Sequence, residues 1–529
     1  MKVTALLVFL FLITPLTAQR IYVDGNIFKV DGKQIWINGT NTPWNRWNEF
    51  GGNFDEEFWR EEFERLTVYG VNSTRVWLSC DADGHIRITD SGYVTGPADK
   101  FWTDLDKLME IAETYQIYIM ATPISFDHTR QGRDRDAWRN MYASADNRQS
   151  FVENYIKDLV IRYNDNPWFF AVDVANEIEW VWENHGVDRD DVIDLIARVA
   201  NAVHDNSDIL VTQGMGAGPK YCSSVFPDGN LVSDESLSSK QPGAYLDFYK
   251  LHYYEWQNQW FSNPFDRSPG DWGIDDKPCV IGECRANGTN AGYTYREAVF
   301  RAFDLGWQGI MPWTSNPIGH LGSIYDHGPG SLAFTRAYPE LVYPVDGPQT
   351  VAVTGVQIIP PEDTMIVGTT LQLTVSFLPE NASNTYVSWN SRDETIATVN
   401  SGGLVAALTP GNASIGIETH DGGYKANAEI TVIDVATVIP GYSTGDANGL
   451  NREDILIAPN PAGNFVTIKT PVDESGFRVA IVDMKGTLIR KGTLNAGENL
   501  LCLDNFEPGI YFIRISNKRD SYTTKLLIK

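Results

Sequence analysis

Residues 169–177 read FFAVDVANE, an apolar run that ends in the polar pair Asn176 and Glu177. A continuous apolar run of this length is typical of a β-strand covered on both faces. Comparable short runs recur from Ile21 to about Tyr343 and alternate with amphipathic helical patterns. This alternation predicts parallel strands joined by helices, an α/β fold.

Working outward from this run, the sequence predicts eight strands, at 34–39, 71–78, 117–123, 169–175, 209–212, 247–252, 278–282 and 308–313. The helical patterns between them cover 56–69, 102–115, 150–163, 189–204 and 295–305. Eight strands separated by helices predict a (β/α)8 TIM barrel. A doubly wound open sheet is the alternative, but no Gly-rich phosphate loop follows a predicted strand, which favours the barrel.

The two ends of the chain differ from this pattern. Residues 1–18 have a charged start, an apolar run and a small-residue exit, which predicts a signal peptide cleaved after Ala18. The barrel is predicted over 19–347. After it, alternating apolar runs separated by turn residues predict two small all-β sandwich domains, at 350–435 and 454–529, joined by a Gly- and Ser-containing linker at 436–453. No later stretch is long and apolar enough to predict a membrane span.

Composition excludes several classes of function. Lys and Arg number 42 and Asp and Glu 68, giving a net charge of −26, so we expect no nucleic-acid partner. The five cysteines form no CxxC pair and the eight histidines are scattered, so we predict no metal site. An odd number of cysteines leaves at least one free thiol; one disulfide is possible, and the sequence does not assign its pairing.

Two carboxylates stand out because of where they lie. Glu177 follows the fourth predicted strand and Glu283 follows the seventh, CVIG at 279–282. In a barrel, the carboxyl ends of the strands meet at one face, so both side chains are expected to point into one cleft. A pair of carboxylates flanking a sugar is what glycosidic bond cleavage requires. An acid after a strand can also be a helix cap or a solvated loop charge.

The same two motifs, Asn176-Glu177 and Gly282-Glu283, resemble those of retaining (β/α)8 glycoside hydrolases, and the sequence is most similar to family 5, the cellulase and β-mannanase family. The resemblance covers about 21–342. It implies that Glu177 is the acid/base and Glu283 the nucleophile, with no cofactor. It also implies supporting roles for further residues at the expected strands: Arg75, Asn176, His252, Tyr254 and Trp313. The family often has a histidine after the third strand, whereas His128 lies five residues beyond Pro123.

Each match has a chemical reason. Arg75 beside Glu283 is expected to lower the pKa of that carboxyl, and Tyr254 is expected to hydrogen-bond to it. Glu177 must stay protonated, which requires an apolar or negatively charged neighbourhood. Pyranose rings stack on indole, and loop tryptophans at Trp44, Trp180 and Trp256 are therefore predicted to bind sugar.

The C-terminal segments carry resemblances of their own. Residues 388–405, with Trp389 as an expected core residue, are similar to a bacterial Ig-like domain of group 2. APNP at 458–461, GIYFI at 509–513 and KLLIK at 525–529 resemble the type IX secretion C-terminal sorting domain. That resemblance implies the type IX machinery as a partner and a secreted or cell-surface location.

Together these features predict a secreted retaining endo-β-glycanase that acts on a polysaccharide, with endo-β-1,4-mannanase as the leading hypothesis. An endo-β-1,4-glucanase or another β-glycanase of the clan is the alternative, and an exo-acting β-glycosidase is a further one. A barrel that only binds polysaccharide, as an adhesion protein, is the hypothesis from a different class. We expect the protein to be a monomer.

Overall fold

The computed structural model describes residues 20–216, 218–223, 225–226, 231–318, 320–434, 455–472, 476–484, 486–518 and 521–529. The predicted signal peptide at 1–18 and the predicted linker at 436–453 lie outside the described residues. The chain divides into two compact units, one up to Ala352 and one from Val353. The domain limits given above stay predictions.

The first unit is built on a ring of parallel strands. They are β1 Ile37–Asn41, β2 Ser73–Trp77, β3 Tyr118–Thr122, β4 Phe169–Asp173, β5 in two pieces, Leu210–Thr212 and Gly214–Met215, β6 Tyr249–His252, β7 Cys279–Glu283 and β8 Gly309–Ile310. The first piece of β5 pairs with β4 and the second with β6, so the strand order closes on itself. The predicted (β/α)8 barrel is confirmed, and the open-sheet alternative is wrong.

Helices surround the barrel in the predicted places. Their bounds are Glu56–Val68, Phe101–Tyr115, Asp127–Arg130, Arg135–Ala143, Ala145–Phe151, Lys157–Tyr163, Glu179–Asn184, Arg189–Asn206, Gly218–Cys222, Asp234–Lys240, Tyr295–Asp304, Ile324–Ala337 and Pro339–Val342. The helix predicted at 150–163 contains a π-helical turn, Val152–Ile156, between two α-helical pieces. Short 3₁₀ helices occupy Glu255–Gln259 and Pro269–Trp272.

Local sequence explains where these helices begin. Asp55 accepts a hydrogen bond from the Phe58 N–H and caps the first helix. Thr294 and Glu297 form a capping box at the start of Tyr295–Asp304. The strands inside this ring of helices are buried along their whole length, as in β2 and β4. This explains the uninterrupted apolar runs in the sequence.

Short antiparallel strands complete the first unit. They are Tyr22–Asp24, Ile27–Val30 and Lys33–Ile35 at the start of the unit, and the pairs Ile86–Ile88 with Val94–Pro97 and Thr289–Asn290 with Tyr293–Thr294 in later loops. No disulfide joins the five cysteines, all of which lie in the described part of the chain.

The second unit is all β, as predicted. Its first part has strands Gly355–Ile359, Glu362–Ile366, Thr370–Gln372, Thr374–Leu378, Val387–Ser391, Ala397–Val399, Leu404–Ala407, Gly411–Thr419 and Lys425–Ile433. Trp389 packs against the core of this part. The second part has strands Leu456–Ala458, Phe465–Thr470, Phe477–Val482, Leu488–Leu494, Gly497–Cys502, Gly509–Ser516 and Ser521–Ile528, which form two sheets around a separate core. Among the described residues, no helix is both long and apolar enough to cross a membrane.

Candidate active site

The two predicted carboxylates meet at the carboxyl end of the barrel. Glu283 is the last residue of β7, and Glu177 follows β4. One oxygen of each carboxylate and one ring nitrogen of His252 all lie within 4.8 Å of one another. The His252 Nδ1 atom lies 3.0 Å from Glu177 Oε1 and 3.3 Å from Glu283 Oε1, so this imidazole bridges the pair.

Glu283 is held by the predicted partners. Arg75 Nη1 donates to its Oε1 at 2.8 Å, and the Tyr254 hydroxyl donates to its Oε2 at 2.8 Å. Arg75 acts on the pKa of this carboxyl in the expected, downward direction, and so do Lys250 and Tyr254. Burial outweighs them, however, and the pKa of Glu283 is raised overall. The expectation of a lowered pKa therefore omitted the larger cause, the loss of water around a side chain in the barrel.

Glu177 occupies a different environment. Its pKa is raised well above the ordinary carboxyl value by burial, by the charge of Glu283 and by that of Glu179. Its Oε2 accepts a hydrogen bond from the Trp180 indole at 3.1 Å. As the pH rises, Glu283, which has cationic neighbours, therefore loses its proton first, and Glu177 stays protonated to higher pH.

The backbone of Glu177 is strained. Its φ is +44°, in the left-handed region, where a residue with a side chain is disfavoured by about 1–2 kcal/mol. Its N–H donates to the Gly214 carbonyl at 3.0 Å, which ties the turn to β5. This conformation is maintained by the neighbouring strand, and it lies at a residue that carries candidate chemistry.

Beneath the carboxylates lies a buried polar network that centres on Arg75. Its guanidinium donates to Asp173 Oδ2 at 2.8 Å, to Asn176 Oδ1 at 2.9 Å and to Asn41 Oδ1 at 3.1 Å, in addition to Glu283. Lys250 Nζ donates to the same Asp173 oxygen at 2.8 Å. Asn176 is thereby fixed next to Glu177. Sequence reasoning missed Asp173, Lys250 and Asn41, although a charge inside a buried strand was a signal for the first two.

A cavity of about 460 Å³ opens above this network. Its lining residues are Trp77, Asn176, Glu177, Tyr254, Glu255, Trp256, Glu283, Arg285, Trp313 and Leu321. The predicted Trp313 and Trp256 are among them. Trp77, Glu255, Arg285 and Leu321 were not predicted as site residues. An apolar cavity with a few convergent polar groups is typical of a small-molecule or saccharide site.

The other predicted tryptophans adjoin this cavity. The Trp44 ring contacts the rings of Trp77 and Trp313, with centroids 4.9 and 6.0 Å apart. Trp180 and Trp256 line a small adjoining recess together with Trp260. Trp47 and Trp256 remain 40% and 50% exposed, so both present indole surface to solvent.

His128 belongs to the interior of the protein. It is fully buried, its Nε2 lies 2.9 Å from the Tyr142 hydroxyl, and it packs edge-on against Trp138. Burial lowers its pKa to about 4. These contacts give it a packing role.

Among the described residues, Glu177, His252 and Glu283 are the group whose donor atoms lie close enough to hold a metal ion. Arg75 already donates to Glu283 Oε1, the oxygen that lies 3.3 Å from His252 Nδ1. A cation placed there would be repelled by the guanidinium and by Lys250, so the donor set does not suit a metal.

Comparison with known proteins identifies relatives of each part. A mannan endo-1,4-beta-mannosidase from Mytilus edulis is 25% identical over 370 residues, which is 62% of this chain and 98% of that protein. The X-ray structure of beta-mannanase from the same mussel aligns with a TM-score of 0.52 and 21% identity, over 60% of this chain and 96% of that chain. The endo-1,4-beta-mannanase from Eisenia fetida aligns with a TM-score of 0.54 and 18% identity, over 59% of this chain and 94% of that chain.

The C-terminal segments match two families. Residues 352–430 match the bacterial Ig-like domain (group 2), and residues 456–529 match the secretion system C-terminal sorting domain. The sorting domain indicates type IX secretion and a secreted or cell-surface location. The chain is therefore a glycoside hydrolase whose barrel is similar in sequence and in fold to known β-mannanases, followed by a bacterial Ig-like domain and a sorting domain.

Proposed function

We propose that the protein is a retaining endo-β-1,4-mannanase in which Glu177 is the acid/base and Glu283 the nucleophile. The observation that carries this proposal is the close pair of carboxylates, with oxygens within 4.8 Å of each other. Retaining enzymes place the two carboxyl groups about 5–5.5 Å apart, whereas inverting enzymes leave room for a water molecule.

In the first step, Glu283 attacks the anomeric carbon while Glu177 gives its proton to the leaving oxygen. The glycosidic C–O bond breaks, a glycosyl ester forms on Glu283, and the shortened chain leaves as an alcohol. The raised pKa of Glu177 supports its role as the proton donor. The guanidinium of Arg75 and the hydroxyl of Tyr254 hold the attacking carboxylate in position.

In the second step, Glu177 has become a carboxylate and takes a proton from a water molecule. The water oxygen attacks the anomeric carbon, the ester bond to Glu283 breaks, and the sugar is released with its original configuration. Both residues return to their starting protonation states. Asn176, held by Arg75, lies beside Glu177 and is suited to bind a sugar hydroxyl.

Two features support a polymeric substrate. The relatives are named for action on mannan. Trp47 and Trp260 present 40% and 41% exposed rings outside the residues that line the central cavity, which gives additional stacking faces for a long chain. An enzyme that cuts within a chain needs such faces on both sides of the cleavage point, whereas an exo-acting enzyme needs a blocked cleft.

The direct test is product analysis on mannan, glucomannan, a soluble cellulose derivative, xylan and agar, with Glu283→Gln as the inactive control. We expect oligosaccharides from mannan, with the β-anomer appearing first in ¹H NMR spectra. Cleavage of the cellulose derivative alone would contradict mannan as the substrate and assign β-1,4-glucan instead. Monosaccharide as the sole product would contradict the endo mode, and binding without cleavage of any polymer would contradict the enzyme assignment.

The pH profile of kcat/KM should be bell-shaped. Activity needs Glu283 ionised and Glu177 protonated, so it falls at low pH as Glu283 gains a proton and at high pH as Glu177 loses one. Since both pKa values are raised, the active range should lie above the ordinary carboxyl pKa of about 4.5.

Glu179→Gln tests the origin of the alkaline limb. Glu179 is buried, and its charge raises the pKa of Glu177. Its removal should move the alkaline limb to lower pH and leave the acidic limb in place. Glu183→Gln, the same change one turn further along Glu179–Asn184, is the matched control and should move neither limb. An unchanged alkaline limb in Glu179→Gln would contradict this account.

A further inference from the structure

A lysine is buried below the candidate catalytic pair. Lys250 lies in β6, two residues before His252, and its side chain has no exposed surface. Its Nζ lies 2.8 Å from Asp173 Oδ2 and 3.4 Å from His252 Nε2. Lysine is seldom fully buried unless it is paired, and here Asp173 supplies the opposite charge.

The neighbouring strands leave a slot for this side chain. A Cβ atom added at Gly214 in β5 would lie 2.4 Å from Lys250 Cε, and one added at Gly282 in β7 would lie 2.5 Å from its Cγ. Any larger residue at either position would displace the lysine stem. The two glycines on the strands flanking β6 are therefore matched to a lysine that reaches the barrel interior.

The donor and acceptor rules fix the hydrogen on His252. An ammonium group has three donors and no acceptor, so His252 Nε2 can meet Lys250 Nζ only as an acceptor. A neutral imidazole carries one hydrogen, which must then be on Nδ1. Nδ1 is the atom that faces Glu177 Oε1 at 3.0 Å and Glu283 Oε1 at 3.3 Å.

The lysine also balances the charges. With Glu177 protonated, the buried anions are Asp173 and Glu283, and the buried cations are Arg75 and Lys250. Without Lys250, Arg75 alone would face two carboxylates. The excess of negative charge would then favour hydrogen on both nitrogens of His252. A doubly protonated imidazole cannot accept a hydrogen bond at either nitrogen.

From these contacts we infer that Lys250 is a positioning residue, which holds His252 as the neutral imidazole with its hydrogen on Nδ1, directed at the two catalytic carboxylates. The inference rests on the proposed function for the catalytic roles, but the form of His252 is a property of the protein alone.

The directions of the pKa shifts in the neighbouring groups agree with this arrangement. Burial, Lys250 and Arg75 lower the pKa of His252 well below its ordinary value. Burial and Arg75 lower the pKa of Lys250 to about 8, so the ammonium stays charged at neutral pH. The charged and titratable groups around the pair come from several elements: Arg75 in β2, Asp173 in β4, Glu177 and Glu179 after β4, Tyr254 after β6, and Glu283 in β7.

The test combines spectroscopy with kinetics on the full chain. Histidine labelled with ¹⁵N reports which ring nitrogen carries hydrogen, and the His252 signals are assigned by their loss in His252→Gln. The wild type should show hydrogen on Nδ1 alone from pH 5 to 7, where Lys250 stays charged. In Lys250→Met, hydrogen should appear on His252 Nε2, because the ammonium donor that faces this atom is gone. The acidic limb of kcat/KM should move to higher pH, and kcat should fall by about 10- to 100-fold with little change in KM.

The controls separate the possible failures. Lys107→Met removes an exposed lysine on Phe101–Tyr115 and should change nothing. In a His252→Gln background, adding Lys250→Met should alter kcat at the pH optimum by less than about twofold. There Glu283 is ionised in any case, and the remaining effect of the lysine passes through the histidine. If Lys250→Met does not fold, Lys250→Gln keeps a donor for Asp173 and should give the same spectral change.

Hydrogen on Nε2 in the wild type, or an unchanged His252 spectrum in the folded lysine variants, would overturn the inference. Absence of glycan hydrolysis by the wild type would overturn the proposed function and leave the spectroscopic result to decide the role of Lys250.

Discussion

Glu283→Gln should lower the turnover of a β-mannan by at least about 10⁴-fold while the protein stays folded. The substituted amide has nearly the same shape but no negative charge, so it cannot attack the anomeric carbon. It also brings an N–H₂ group next to the Arg75 and Tyr254 donors that hold the two carboxylate oxygens. Turnover of mannan and of an activated aryl β-mannoside should fall together, because both require the glycosyl ester. The thermal unfolding transition checks the fold.

Replacement by alanine gives the complementary result. Glu283→Ala opens a space that azide can enter. Azide then attacks the anomeric carbon from the side on which the Glu283 carboxylate lay, so an activated substrate should yield the α-glycosyl azide, with inverted configuration. Glu255→Gln changes another acid that lines the same cavity and should keep most of the activity. Substantial hydrolysis by Glu283→Gln, or a β-configured azide product from Glu283→Ala, would exclude Glu283 as the nucleophile.

Much of the barrel could be predicted from sequence because each strand is buried on both faces and therefore leaves a continuous apolar run. β4, predicted at 169–175, is found at Phe169–Asp173. The prediction was least accurate where the chain leaves the sheet. β8, predicted at 308–313, is regular only over Gly309–Ile310, and Trp313 instead makes isolated bridges to Asn41 and Arg285.

The positions of the two carboxylates could also be predicted, because strand ends in a closed barrel converge. The network beneath them could not. Asp173 pairs with Arg75 and Lys250 across 98 and 77 residues of sequence, and these partners meet only after the strands have closed into a ring. A run such as FFAVDVA marks Asp173 as unusual, but local sequence does not tell which cation compensates it. Burial, which raises the pKa of Glu283, is likewise a property of the assembled barrel.

The loops are the other part that sequence could not supply. Trp77 ends β2 and lies within 5.6 Å of Trp313, measured between ring centroids, although their positions in the chain are far apart. Tryptophan content indicated a saccharide site, but which rings line the cavity depends on how the loops fold over the barrel face.

Glu177→Gln should give the second large effect, and one that depends on the leaving group. With mannan, whose leaving group needs a proton, turnover should fall by about 10²- to 10⁴-fold. An aryl β-mannoside with an acidic phenol leaves without assistance, so the glycosyl ester should form at close to the normal rate and then accumulate, because no base activates water. A burst of phenol followed by slow turnover, with a lowered KM, is the expected kinetic signature. The alkaline limb of the pH profile should disappear, since the group that causes it is gone.

Azide separates this role from that of the nucleophile. Added to Glu177→Gln, it needs no general base and should attack the ester on Glu283 to give the β-glycosyl azide, with retained configuration, and restore steady turnover of the aryl substrate. Glu179→Gln, two residues away, should hydrolyse mannan without a burst. Equal losses on mannan and on the aryl substrate in Glu177→Gln would mean that Glu177 positions the substrate or shapes the site. The left-handed backbone at this residue would then reflect the turn after β4 alone, and another acid, such as Glu179, would have to supply the proton.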